Sequence, residues 1–117
     1  MSAHHGYEDR FPIVEEFLTQ IFPGASVRRL PMNWEASTGT KGHDWDAQLW
    51  RAETPERDYD LGITDEALEG FSATELSQAL RISTLQAHLN DCSPEERIWI
   101  FSGGVLAKAK LGESPTV

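Results

Sequence analysis

Cysteine and long apolar runs are nearly absent from this chain. Its single cysteine, Cys92, excludes an internal disulfide and a cysteine-based metal framework. No apolar run approaches the roughly 20 residues that a membrane-spanning helix needs. Residues 1–6 also lack the basic and then apolar segments of a signal peptide. These absences predict a cytoplasmic protein of a reducing compartment that has no membrane partner.

Positive charge is scarce as well. The chain has 10 Lys and Arg residues against 19 Asp and Glu residues, which gives a formal net charge of −9. Because affinity for phosphate comes from clustered Lys and Arg, this balance disfavours nucleic acid and anionic membranes as partners. It favours a basic protein partner, although acidity that serves only solubility is the alternative interpretation.

The chain does contain enough apolar material for one folded core. Of its 117 residues, 39% are hydrophobic, and they include 4 Trp and 5 Phe. Domains of roughly 100–150 residues are the commonest, so we expect a single domain over residues 1–117 with frayed tails at 1–9 and 112–117. The expected fold class is α+β: an N-terminal helix, a small antiparallel sheet built around a central hairpin, and a helical C-terminal half.

The N-terminal segment is typical of an amphipathic helix. From Arg10 to Phe22, apolar residues recur at the spacing of one helical face. Pro12 suits the first turn, where a backbone N–H has no helical acceptor, and Pro23 with Gly24 ends the helix. A short extended segment follows, and then a polar loop at 35–42 that has no periodicity.

Two alternating segments within residues 43–64 predict a β-hairpin. The apolar residues that share a face are Trp45, Ala47 and Leu49 in the first segment and Tyr59, Leu61 and Ile63 in the second. If the two sets meet on one dry side, Leu49 pairs either with Tyr59 or with Leu61. The first pairing is favoured because it adds an aromatic–β-branched contact across the strands.

The other side of this hairpin is expected to be wet and acidic. Its aspartates are Asp44, Asp46, Asp58 and Asp60. Because they alternate with the apolar residues, we expect all of them to point outward. Trp50 falls on the same side, so it is either an exposed aromatic residue or packed beneath another element. Trp34, at the start of the polar loop, is a second aromatic residue suited to a partner interface.

A divalent-metal site is the alternative interpretation of these carboxylates, with His43 beside them. Their spacing matches no calcium loop, and outward carboxylates lack the buried member that acid–base catalysis needs. No histidine stands in a typical nucleophile motif. We therefore expect no enzymatic activity, no metal and no cofactor.

The C-terminal half carries several helix-start signals. Thr64 precedes a short helical turn, and a capping box at Ser72–Glu75 begins a longer helix. A second capping box at Ser93–Glu96 favours a helix over residues 94–110. The apolar run Ile98–Phe101 leaves a buried strand followed by a helix as the alternative.

Residues 74–90 resemble the helix-turn-helix of bacterial transcription regulators. The matching positions are Leu76, Leu80, Ile82 and Ser83. The resemblance implies a DNA-binding regulator as the alternative function. Arg81 stands where the motif has glycine, and the second helix carries no Lys or Arg for phosphate contacts.

The sequence therefore favours a small acidic protein-binding module, such as an adaptor, an inhibitor, an immunity-like protein or a secretion-chaperone-like protein. Its expected partner-binding residues are Asp44, Asp46, Trp50, Asp58, Asp60 and Trp34. They would mask a basic partner sterically and electrostatically. A homodimer is compatible with this fold, because a hairpin leaves at least one strand edge to cover.

Overall fold

Four helices and five strands follow one another along the described part of the chain. The structure is a computed structural model that describes residues 8–30, 47–82 and 84–111. The helices are α1 Phe11–Ile21, α2 Asp65–Gly70, α3 Ala73–Ile82 and α4 Leu85–Asp91. The strands are β1 Ser26–Leu30, β2 Ala47–Glu53, β3 Asp58–Thr64, β4 Glu96–Phe101 and β5 Val105–Lys110. Short 3-10 helices at Glu8–Arg10 and Ser102–Gly104 precede α1 and β5.

The amphipathic N-terminal helix is confirmed as α1. Val14, Phe17 and Leu18 are buried on its inner side, and Pro12 lies in its first turn. Gly24 then turns the chain with a φ of 85°, a conformation that favours glycine because it has no Cβ. The chain enters β1 directly after this turn, which confirms the extended segment.

The strands form a mixed sheet in the order β1-β2-β3-β4-β5. β3 and β4 run parallel, whereas the other neighbouring pairs are antiparallel. A parallel pair needs a crossover connection, and α2, α3 and α4 supply it. The α+β class is confirmed, but the sheet is mixed and larger than the expected antiparallel one.

The prediction of a helix over residues 94–110 is wrong, because this segment forms β4 and β5. One hydrogen bond of the capping box is nevertheless present, while the Ser93 hydroxyl bonds to Glu95 instead of Glu96. Ser93 N–H donates to Glu96 Oε1 at 2.9 Å, and Glu95 N–H donates to Ser93 Oγ at 3.3 Å. They close a turn before a strand instead of beginning a helix. The apolar run Ile98–Ile100 then fills β4, which is buried on both faces as inner strands often are.

The helix-start signals of the crossover are confirmed. At the start of α2, Thr64 Oγ1 accepts the Ala67 N–H at 3.1 Å. Before α3, Ser72 Oγ accepts the Glu75 N–H at 3.1 Å, and Glu75 Oε1 accepts the Ser72 N–H at 2.9 Å. The segment that resembles a helix-turn-helix consists of two helices, α3 and α4, and not of one continuous helix.

The predicted pairing of the central hairpin is wrong. Leu49 of β2 lies opposite Gly62 of β3 instead of either predicted partner. The turn sets this register, because the Thr54 N–H donates to the Arg57 carbonyl at 3.0 Å and leaves two residues at the tip. Ala47 and Leu49 therefore lie on the opposite face of the sheet from Tyr59, Leu61 and Ile63.

Both faces of the sheet carry buried side chains. The helices pack on the first face, where Trp50, Leu61 and Ile98 join the main core. The second face carries a smaller cluster around Leu49 and Trp99, whose side chains are fully buried. Because β2, β3 and β4 have apolar residues on both faces, alternation along these strands does not mark a single dry side.

Candidate functional site

Asp60 is buried at the centre of the sheet, so the prediction that it points outward is wrong. It is 1% exposed and lies on the second face, between Arg51 of β2 and Arg97 of β4. Arg51 Nε donates to Asp60 Oδ1 at 2.8 Å, and Arg97 Nη2 lies 3.7 Å from the same oxygen. These guanidinium groups offset the free-energy cost of burying the carboxylate, because a charge removed from water needs a partner.

We call Arg51, Asp60 and Arg97 the arginine–aspartate cluster. The hydrogen bond to Asp60 raises the pKa of Arg51, whereas burial lowers the pKa of Arg97. Arg97 also lies over the ring of Trp99, 5.7 Å from its centroid. Because one carboxylate joins residues of β2, β3 and β4, the cluster ties the three inner strands together.

Trp50 packs beneath α1. Of the two alternatives for this residue, packing beneath another element is therefore confirmed and an exposed position is wrong. Its side chain is fully buried, and its ring meets Phe11 edge-on at a centroid distance of 5.8 Å. The indole N–H donates to Glu15 Oε2 at 3.2 Å. Trp50 therefore anchors α1 on the sheet through its apolar body and its polar edge, and it is not available to a partner surface.

Asp58 is half-buried at the start of β3, and it is the one partly exposed member of the predicted binding set within the described residues. Other residues of the predicted hairpin and binding set lie outside the described ranges, namely Trp34, His43, Asp44, Trp45 and Asp46. The polar loop at 35–42 and the segments 1–7 and 112–117 also lie outside those ranges.

The acidity of the protein is concentrated on its helices. Segments 8–21 and 65–91, which hold the helices, contain nine carboxylates and two arginines, a net charge of −7. The five strands contain six cations and four carboxylates, a net charge of +2. The exposed carboxylates of the helical segments are Asp9, Glu16, Glu66, Glu69, Glu75 and Asp91. The fold thus separates charges that are interspersed along the chain.

Several of these carboxylates lie on the elements that meet where α2 ends and α3 begins. Arg10 reaches this point and donates from Nε and Nη2 to the Phe71 carbonyl, at 2.9 Å and 2.7 Å. Its Nη1 also contacts Asp9 at 2.6 Å. The 3-10 helix before α1 is therefore fastened beside the ends of α2 and α3. We call the exposed carboxylates of these elements the acidic junction, and they are Asp9, Glu66, Glu69 and Glu75. Glu66 Oε1 also accepts the Ser102 hydroxyl at 2.9 Å.

The exposed side of α4 bears on the helix-turn-helix resemblance. Its exposed residues are Gln86, Ala87, His88, Asn90 and Asp91. A recognition helix holds DNA with cations and base-contacting side chains. Arg81 is the one Lys or Arg in the sequence of residues 73–91, and it lies on α3. The described surface of α4 therefore offers no Lys or Arg to a phosphate backbone.

Comparison of this chain with known proteins finds no match. No protein-family model, no curated protein and no solved structure matches it. Within residues 8–30, 47–82 and 84–111, no group of three His, Cys, Asp or Glu side chains could hold a metal ion. No helix in those ranges is long and apolar enough to cross a membrane. The surface charge and the strand edges are therefore the features that bear on function.

Sequence reasoning missed Arg97 of β4 as a counterion of Asp60. Arg97 directly precedes the apolar run Ile98–Ile100. A cation in such a position is a signal that a buried carboxylate faces it, because Arg is rarely buried without a partner. Gly62 is a second signal, since glycine inside a strand often marks a close approach. Here the ring of Trp99 fills that space.

Proposed function

We propose that this protein is a small acidic protein-binding module that docks a basic partner on the acidic junction of its helical layer. Adaptor, inhibitor, immunity-like protein and secretion-chaperone-like protein are the roles that fit such a module. The observation that supports the proposal is the separation of charge, which puts −7 of the net charge on the helical segments. The hairpin is not the proposed docking surface, because Asp60 and Trp50 are buried.

The acidic junction suits a basic partner for two physical reasons. At physiological salt the screening length is roughly 8 Å, so carboxylates one helical turn apart, such as Glu66 and Glu69 of α2, act together while distant charges do not. A surface of one sign also accelerates encounter with a surface of the opposite sign. Arg10 holds the underlying elements in place through the Phe71 carbonyl, so the carboxylates sit on ordered backbone.

The test compares two triple variants that remove equal charge from different surfaces. E66Q/E69Q/E75Q neutralises the acidic junction, and glutamine at position 75 keeps the capping box because Gln also serves at that position. E53Q/E56Q/D58N neutralises the hairpin tip. Each variant, with the wild-type chain, is immobilised and exposed to native lysate, and bound proteins are eluted with rising salt.

We expect the wild-type chain and the hairpin variant to capture the same basic protein, and the junction variant to lose it. Capture that survives in the junction variant but disappears in the hairpin variant would overturn the proposal. A gel-shift series with a DNA duplex is run in parallel at low and high salt. Saturable DNA binding that persists in both variants would instead favour the regulator that the helix-turn-helix resemblance implies.

A further inference from the structure

The strand at one edge of the sheet, β5, has backbone groups that no described strand pairs with. β5 is last in the strand order and bonds to β4 on one side. The Leu111 N–H donates to the Glu95 carbonyl at 2.8 Å, so Glu95 and Leu111 form a hydrogen-bonded pair of the antiparallel ladder. Because residues of such a ladder alternate between bonded and non-bonded pairs, the backbone groups that point away from β4 belong to Leu106, Lys108 and Lys110.

The same three residues place their side chains on the helix-facing side of the sheet. In the β4–β5 register they lie opposite Ile100, Ile98 and Glu96, and the first two of these belong to the main core. Lys108 and Lys110 are exposed. The free edge of β5 therefore offers backbone hydrogen bonds with two exposed ammonium groups beside them.

An apolar groove lies next to this edge, between α3 and the end of the β4–β5 hairpin. Its lining includes Phe71, Leu76, Ala79, Leu80, Ile100 and Leu106. Among the described residues, the exposed large apolar side chain is Val105 at the start of β5, which is 46% exposed. An exposed apolar surface beside an unpaired strand is typical of a site for strand addition.

We propose that β5 accepts an extended acidic segment of a partner protein, which adds to the sheet as a sixth strand. On the helix-facing side, acidic residues of the segment lie opposite Lys108 and Lys110, and an apolar residue lies opposite Leu106 beside the groove. Side chains on the other side lie near Val105 and Ala107 and are small or aliphatic. The charge complementarity is local, because screening at physiological salt limits the influence of the acidic helices to about 8 Å.

The charges argue against a second copy of this chain as the occupant of β5. An antiparallel pairing of two β5 strands that is centred on Lys108 or Lys110 would place lysines of one copy against lysines of the other. Like charges directly opposite one another destabilise a sheet. Lys residues on an edge strand are a common protection against such self-association. An acidic strand removes this repulsion and gains ion pairs.

The opposite edge, β1, is less suited to the same role. Arg28 pairs with Glu53 at 3.3 Å, and Arg29 donates to Gln48 Oε1 at 2.9 Å while its guanidinium lies 4.4 Å from the Phe11 ring centroid. The cations of β1 are therefore engaged within the chain. On β5, Lys108 lies 3.8 Å from Glu96, which is beyond hydrogen-bond distance, so a partner carboxylate can replace this contact.

The test uses a short fluorescein-labelled peptide in which aspartate, glutamate and leucine alternate with valine. A control peptide has lysine in place of both acidic residues. We expect saturable binding of the acidic peptide that weakens with salt, and no saturable binding of the control. Amide exchange followed by NMR should show protection of the Leu106, Lys108 and Lys110 N–H groups in the complex, because backbone hydrogen bonds form there.

Three variants separate strand addition from general electrostatics. K108E/K110E reverses the charge of the β5 edge and should weaken binding about tenfold or more, which corresponds to roughly 1.4 kcal/mol. R28E/R81E makes the same change in net charge at exposed positions away from β5 and should leave binding nearly unchanged. K108P removes an outward N–H without removing a bond to β4 and should also weaken binding.

Equal affinity of the wild-type chain and K108E/K110E overturns the proposal, as does amide protection on β1 instead of β5. Protection of β5 that rises with protein concentration in the absence of peptide assigns the edge to a homodimer and also overturns it. The inference does not depend on the acidic junction. In E66Q/E69Q/E75Q, we expect the peptide to bind as it does to the wild-type chain, so the two proposals fail separately.

Discussion

Gly62 and Trp99 face each other across the parallel pair of β3 and β4. A Cβ atom at position 62 would lie 2.6 Å from Cε3 of the Trp99 ring, which is closer than a Cβ atom approaches a ring carbon in folded proteins. Trp99 is fully buried. The absence of a side chain at position 62 therefore gives the indole ring its place on the second face of the sheet.

Gly62→Ala should destabilise the protein by about 1–3 kcal/mol, the usual cost of an overpacked interior. Because the clash is with one ring, Gly62→Ala should cost less in a chain that already carries Trp99→Leu. The measurement is urea unfolding of the wild-type chain, both single variants and the double variant. Strictly additive effects of the two substitutions would contradict the argument, because they would show that the residues are not coupled.

Asp60→Asn should be among the most destabilising conservative substitutions in the sheet. It leaves Arg97, which is 4% exposed, without its buried counterion, and breaking a buried ion pair typically costs roughly 3–5 kcal/mol. Asp58→Asn is the matched control, since Asp58 is half-buried at the start of the same strand. We expect its effect to stay within about 0.5 kcal/mol. Similar unfolding midpoints for the two variants would show that the cluster contributes little.

The sequence was sufficient for elements whose signals are local. α1 was predictable from its apolar spacing and from Pro12 and Gly24, because a helix on the surface of a core buries one stripe. Thr64 and Ser72 marked true helix starts, because their side chains bond to backbone N–H groups within three residues. These interactions need no knowledge of the rest of the chain.

The sequence was insufficient where distant elements decide the outcome. The environment of Asp60 depends on Arg97, which is far away along the chain and reaches it through the parallel pairing of β3 and β4. The hairpin register followed from the turn at Thr54 and not from a dry side, because the inner strands have two buried faces. At Ser93, the Glu96 carboxylate accepts the Ser93 N–H as in a capping box, yet a strand follows because β4 has neighbours on both sides.

Ser72→Ala should cost about 1 kcal/mol, as expected for the loss of a helix N-cap. The Ser72 hydroxyl accepts the Glu75 N–H at 3.1 Å at the start of α3, and alanine leaves this donor to water. Ser77→Ala, in the interior of the same helix, is the control, and we expect it to be neutral or slightly stabilising. Thermal unfolding of the two variants checks the prediction. A larger loss for Ser77→Ala would assign the stabilisation of α3 to packing and not to its cap.

The stabilising effect of the Glu96 carboxylate should be lost in acid. The Ser93 N–H donates to its carboxylate at 2.9 Å, and this hydrogen bond, with a smaller effect of Lys108, lowers the pKa of Glu96 in the folded state. A lowered folded-state pKa means that the stabilisation is present above the ordinary glutamate pKa of about 4.3 and is lost as the pH falls through the folded-state value.

We expect Glu96→Gln to be less stable than the wild-type chain at neutral pH, and this difference to shrink as the pH falls below about 4. Glu95→Gln, at the exposed neighbouring position, is the control. The measurement is urea unfolding across that pH range, and a difference between Glu96→Gln and the wild-type chain that does not change with pH would contradict the assignment.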